Sequence, residues 1–95
     1  MGMKANEFIK KFGWGTSKFC LDNCLSPNDK WFMHEGESIY DEDFDELKRL
    51  VESWRFINEH GGIERGKNWY KSSPFKNNKY MRELKQAILD VESCQ

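Results

Sequence analysis

The chain has no apolar run approaching the roughly 20 residues that a membrane-spanning helix needs. Its N-terminus has no apolar signal region, and Met1-Gly2 is followed by Asn6 where a myristoylation signal carries Ser or Thr. Cysteine is scarce and odd in number: Cys20, Cys24 and Cys94 read as intracellular thiols rather than a disulfide framework. No catalytic signature or cofactor-binding motif occurs, so the expectation is a non-enzymatic protein without a cofactor. Net charge is also lacking: the formal total of −1 predicts neither a nucleic-acid nor a membrane partner from global electrostatics.

What is present is aromatic weight. Four Trp, seven Phe and three Tyr in 95 residues can hold a small core together, since each buried ring removes roughly 150–250 Å² from water. Charged residues of both signs make up 33% of the chain, which favours a folded domain over a disordered one. The length suits one domain near the low end of comfortable size.

The organising stretch is DFDELKRLVESWRFINEHGG, residues 43–62. Phe44, Leu47, Val51, Trp54 and Ile57 recur at spacings of three and four, with Leu50 widening the stripe, which predicts a central helix over 43–60 with one buried face. Asp43 and Glu46 form a capping-box pattern, and Gly61-Gly62 supplies the C-terminal stop. Upstream, an N-terminal helical corner covers 4–25. Phe8, Ile9 and Phe12 lie on one side of its first helix, which Asn6 or an earlier residue caps. Gly13-Trp14-Gly15 makes a turn, and a second helix capped by Thr16 or Ser17 turns Phe19, Cys20, Cys24 and Leu25 inward. Residues 26–29 form a turn around Pro27.

Trp31-Phe32-Met33-His34 and Glu37-Ser38-Ile39-Tyr40 flank Glu35-Gly36, predicting a β-hairpin over 30–40. Two short strands cannot bury both faces, so one of Trp31 or Phe32 points away from the core. After Gly62, a short helix over 63–71 is expected to bury Ile63, Trp69 and Tyr70. Residues 72–77 form a linker with Phe75 as an anchor. A C-terminal helix over 78–92 presents Met81, Leu84, Ala87, Ile88 and Val91 inward, with Asn77 or Asn78 as cap. The fold class expected is mainly α (α+β): a small helical domain around one long helix, with a short hairpin.

One internal echo stands out. Phe8-Ile9, Phe12-Gly13-Trp14 and Lys18 resemble Phe56-Ile57, His60-Gly61-Gly62-Ile63 and Lys67, with one residue inserted in the second copy. Any helix–glycine–helix corner gives such a pattern. The alternative is two related corners packed against each other.

Cys20 and Cys24, four apart, share a helix face, and His34 with His60 or Cys94 could complete a tetrahedral zinc set. The spacing matches no usual zinc knuckle, and free cysteines at such positions also behave as small apolar residues. A Cys–His catalytic pair is not legible, and His60 at a helix C-terminus fits a cap or dipole role.

Charge distribution is more informative. From Glu35 to Glu46 there are seven acids and no base, whereas Arg65 to Lys85 carries seven bases against Glu83 alone. Capping needs only two or three of those acids. The others suit steering onto a basic partner surface, or simply a solvated loop. The candidate partner-binding set is therefore Trp31, Phe32, Glu35, Glu37, Tyr40, Asp41, Glu42 and Asp43, with aromatics as anchors. The alternative is a nucleic-acid-binding segment using Arg65, Lys67, Lys71, Lys76, Lys79 and Arg82, interleaved with Trp69, Tyr70, Phe75 and Tyr80. Against it, periodicity turns most of those aromatics inward. A helix-turn-helix reading of Phe8 to Leu25 offers TSKFCLDNCL as recognition helix, poor in side chains that read base edges.

MKANEFIKKFGW, DELKRLVESWRFINEHGGIERGKNWY and LKQAILDVES resemble small early-region accessory proteins of lambdoid temperate phages and prophages, over roughly two-thirds of the chain. The resemblance implies an early phage product in the bacterial cytoplasm that binds and redirects a host protein. It supplies no catalytic residues.

Overall fold

A computed structural model describes residues 2–24, 27–74 and 77–95. The expected inward face of Leu25, the anchor Phe75 and the cation Lys76 lie outside the described residues. The protein is mainly α with one small β-hairpin: α1 Ala5–Phe12, α2 Trp14–Asp22, a 3-10 turn Pro27–Asp29, β1 Trp31–His34, β2 Glu37–Tyr40, α3 Glu42–Glu59, α4 Ile63–Ser72 and α5 Lys79–Glu92. Packing divides the chain into two compact units: residues up to Val51 with Cys94, and Glu52–Ser93 with Gln95.

In the first unit the core consists of Ala5, Phe8 and Ile9 of α1, Phe32 and Ile39 of the hairpin, Phe44, Leu47 and Leu50 of α3, and Cys94. The rings of Phe8 and Phe32 meet edge-on at 5.5 Å, and Phe32 meets Phe44 at 6.2 Å, separations at which aromatic pairs attract beyond their buried area. The hairpin is antiparallel, with Trp31 opposite Tyr40, Phe32 opposite Ile39, Met33 opposite Ser38 and His34 opposite Glu37. Glu35 and Gly36 both have positive φ, 48° and 83°, the requirement of the tight turn whose twist matches two strands. Alternation then sends Phe32 and Ile39 inward and leaves Trp31 exposed, as the two-faced hairpin requires. Met3 adds a backbone hydrogen bond, its N–H donating to the Ser38 carbonyl at 2.8 Å.

In the second unit α5 buries Met81, Leu84, Ala87, Ile88 and Val91, and α3 contributes Ile57. The Asn78 side chain caps α5, accepting from the Met81 N–H at 2.8 Å. Asp90 is buried, and its carboxylate accepts from the Ser53 hydroxyl at 2.8 Å and the Gln86 amide at 3.0 Å. A buried carboxylate supplied with donors in this way avoids the penalty of an unmet charge.

The internal echo is a repeated backbone corner. Gly13 (φ 90°, ψ 168°) and Gly62 (φ 100°, ψ 174°) adopt the same conformation, one essentially reserved for glycine. The Gly13 N–H donates to Ile9 O at 2.7 Å and the Gly62 N–H to Ile57 O at 3.0 Å. Each glycine carbonyl then accepts from a residue four ahead, Ser17 or Gly66, both buried. The extra residue of the second copy is absorbed between Ile57 and Gly62.

Several local expectations are corrected. α2 starts at Trp14 rather than after Thr16 or Ser17, because Gly13 serves as its N-terminal flank. Ser17 is instead buried one turn in, its hydroxyl donating to Gly13 O at 2.8 Å. Lys4 flanks α1 without a side-chain cap. α3 opens at Glu42, and Asp41, at φ 54°, accepts from the Asp45 N–H. Asp43 therefore lies within the first turn and does not cap it. Phe19 and Trp69, both expected inside, are 64% and 44% exposed. At the buried positions of α2 and α4 stand the small residues Ser17 and Gly66.

Candidate functional site

The first unit carries an apolar groove of about 360 Å³, lined by Phe19, Cys20, Asn23 and Cys24 on the α2 side and by Trp31, Phe32, Met33 and His34 of β1. Phe32 belongs to the core beneath it, whereas Phe19, Trp31 and Met33 are exposed. Tyr40, opposite Trp31 in the ladder, is exposed as well, and its hydroxyl accepts from the Gly2 N–H at 3.1 Å. The Cys24 thiol donates to Trp31 O at 3.2 Å, tying the end of the α2 segment to β1. Burial pushes the Cys20 thiol pKa up, which keeps that sulfur protonated and a poor nucleophile.

The acids bracket this hairpin. Glu35 occupies the turn, and Asp41, Glu42 and Asp43 follow the end of β2. Glu37 is engaged with Lys11 at 3.2 Å, Asp45 with Lys30 at 3.0 Å and Glu46 with Arg49 at 3.5 Å. Asp41, Glu42 and Asp43 make no ion pair among the described residues. Among the described residues, the three non-glycine residues with positive φ, namely Lys30, Glu35 and Asp41, also bracket the strands. Strained backbone of this kind concentrates at binding and switch regions.

Of the expected partner-binding set, Trp31, Tyr40, Glu35, Asp41 and Glu42 are exposed, Glu37 and Asp43 are half-buried, and Phe32 is core. The exposed Phe19 and Met33 are additions that the sequence reading did not place there. Met33 is the member that strand alternation could have found, since it shares a face with Trp31. Cys20, Cys24 and His34 line one groove, but no three His, Cys, Asp or Glu side chains among the described residues are grouped to hold a metal ion.

The second unit holds a ring cluster that spacing alone did not indicate. The His60 ring lies 4.5 Å from Phe56, 5.4 Å from Trp69 and 5.6 Å from Tyr80, and Trp69 lies 5.4 Å from Tyr80. His60 Nδ1 is 2.7 Å from the Phe56 carbonyl, which only accepts, so Nδ1 carries a proton. In the neutral ring Nε2 is then the acceptor for the Tyr80 hydroxyl. Burial pushes the Tyr80 pKa up. His60 thus binds α3 to the Trp69–Tyr80 pair, beyond the cap role that its position indicated.

Among the basic residues, Lys67 is committed to Glu92 at 2.7 Å, and the hydrogen bond and charge of Glu92 hold its pKa above the ordinary value. Arg65, Lys71, Lys79, Arg82 and Lys85 are exposed and make no ion pair among the described residues. Lys67, Lys71 and Lys85 rim a small groove of about 170 Å³ floored by Tyr70, Ile88 and Leu89. No helix among the described residues is long and apolar enough to cross a membrane. Compared with known proteins, the chain matches no protein-family model, no curated protein and no solved structure.

Proposed function

We propose that this chain is a non-enzymatic phage accessory protein that binds a bacterial host protein in the cytoplasm and redirects or inhibits it. The binding face is the hairpin groove of the first unit. Its occupant is a partner surface with an apolar centre and a basic rim. The supporting observation is the exposure of Phe19, Trp31 and Met33 around one groove, beside carboxylates at Asp41, Glu42 and Asp43 that no cation of the described chain neutralises. Exposed apolar side chains gathered in one place mark interaction sites, whereas scattered ones do not. Trp is among the residues most enriched at energetic centres of interfaces, and unneutralised rim charge speeds encounter with an oppositely charged partner.

The test is capture of host proteins by tagged chain, with and without nuclease, alongside two variants. One reverses Asp41, Glu42 and Asp43 to Lys; the other is Trp31→Ala. The proposal expects a stoichiometric protein that survives nuclease and is lost with both variants while their circular dichroism stays native. A partner retained equally by both variants means that another surface binds it.

A further inference from the structure

We propose that the second unit carries a separate site for single-stranded polynucleotide, with Trp69 as the platform on which an unpaired base stacks. Trp69 is 44% exposed, although the spacing of α4 predicts it inside. Its indole contacts the rings of His60 and Tyr80, each at 5.4 Å, and Phe56 lies 4.5 Å from His60 and 5.7 Å from Tyr80. His60 is held from both ring nitrogens, by Phe56 O and by the Tyr80 hydroxyl. The indole is therefore fixed before any ligand arrives, so stacking on it costs little ordering of the protein.

The charge of the second unit favours the same ligand. Residues 52–93 contain eight Lys and Arg against six Asp and Glu, a formal +2 within a chain whose total is −1. Arg65 stands four residues before Trp69 on α4, and so is its neighbour on the helix surface. Lys79 adjoins Tyr80, and Lys71 and Arg82 are exposed on α4 and α5. None of these four cations is taken up by an ion pair among the described residues. Cations for phosphates and an aromatic face for bases are the two components of single-strand binding without sequence preference. A duplex, whose bases are already stacked on each other, offers no free base to the indole.

The experiment is fluorescence anisotropy of the full chain with labelled oligo-dT, oligo-U and a duplex of about 20 nucleotides each. Both single strands are expected to bind at about 50 mM salt, and raising salt to about 200 mM is expected to weaken them about 20-fold if three phosphates are contacted. Trp69→Ala is expected to weaken binding roughly tenfold, while Trp69→Phe, which keeps a ring against His60 and Tyr80, stays within about threefold. Arg65→Glu with Lys71→Glu should reduce both affinity and salt dependence. No binding at low salt, binding unchanged in Trp69→Ala, or a duplex held as tightly as the single strands would each overturn the proposal. Trp31→Ala should leave oligonucleotide binding intact, which separates this site from the hairpin groove.

Discussion

The same substitution placed four residues apart is expected to change stability in opposite directions. Gly66 lies inside α4 and is buried. A Cβ added there would meet Ile57 Cδ1 at 3.5 Å and Leu84 Cδ1 at 3.7 Å, ordinary van der Waals distances. Alanine is favoured over glycine in a helix interior by about 0.8–1.0 kcal/mol, and the new methyl fills space without a clash. Gly66→Ala should therefore stabilise by about 1 kcal/mol and raise the melting temperature by about 4–8 °C. Gly62, with φ at 100°, has open space around its missing Cβ, so sterics with neighbours contribute nothing. The penalty is that of the backbone conformation alone, about 1–3 kcal/mol for a residue with a side chain. It is offset in part by the 0.4–1 kcal/mol that alanine removes from unfolded-state entropy, roughly. Gly62→Ala should lose up to about 2.6 kcal/mol on these terms. Urea melts followed by circular dichroism measure both. Destabilisation by Gly66→Ala, or stabilisation by Gly62→Ala, would refute the account of the α3–α4 corner.

Asn78→Ala removes the cap on the Met81 N–H and should cost about 0.5–2 kcal/mol in the same melts, with Asn78→Ser restoring most of it. Leu47→Ala empties a fully buried position, and a loss of about 2–5 kcal/mol is expected; a loss under about 1 kcal/mol would mean that the first unit's core is not packed as described. Burial raises the Tyr80 pKa above its ordinary 10.0, so the folded state holds that proton more tightly than the unfolded state does. The resulting stability is complete below pH 10.0 and falls as pH rises through the higher folded value. Tyr80→Phe should remove that part of the alkaline loss, and an identical alkaline decline in both proteins would contradict it.

Periodic positions carried most of the fold. Phe44, Leu47, Leu50, Val51 and Ile57 of α3, and the five-residue stripe of α5, are buried as their spacing requires, because large apolar residues repeating at 3.6 leave one arrangement that hides them. The hairpin was legible for another reason: residues suited to extended backbone flank Glu35-Gly36, and both of those residues adopt the positive φ of a tight two-residue turn. The misplaced residues have a common cause. Ser17 and Gly66 occupy the buried positions of α2 and α4, and residues of this size give no hydropathy signal. Hydropathy alone points the bulky Phe19 and Trp69 inward, whereas they are exposed. These two displaced aromatics stand in the two proposed binding sites, as expected if local rules are broken where a surface has another use. The ring cluster around His60 depends on contacts between α3, α4 and α5 that no spacing within a single segment encodes.

The most direct test of the central claim is the nuclease-treated capture experiment performed with wild type, with Asp41, Glu42 and Asp43 reversed to Lys, and with Trp31→Ala. The account expects one stoichiometric host protein with the wild type and none with either folded variant. Capture that is equal in all three, or that vanishes from the wild type on nuclease treatment, would contradict a protein-binding role for the acidic aromatic hairpin.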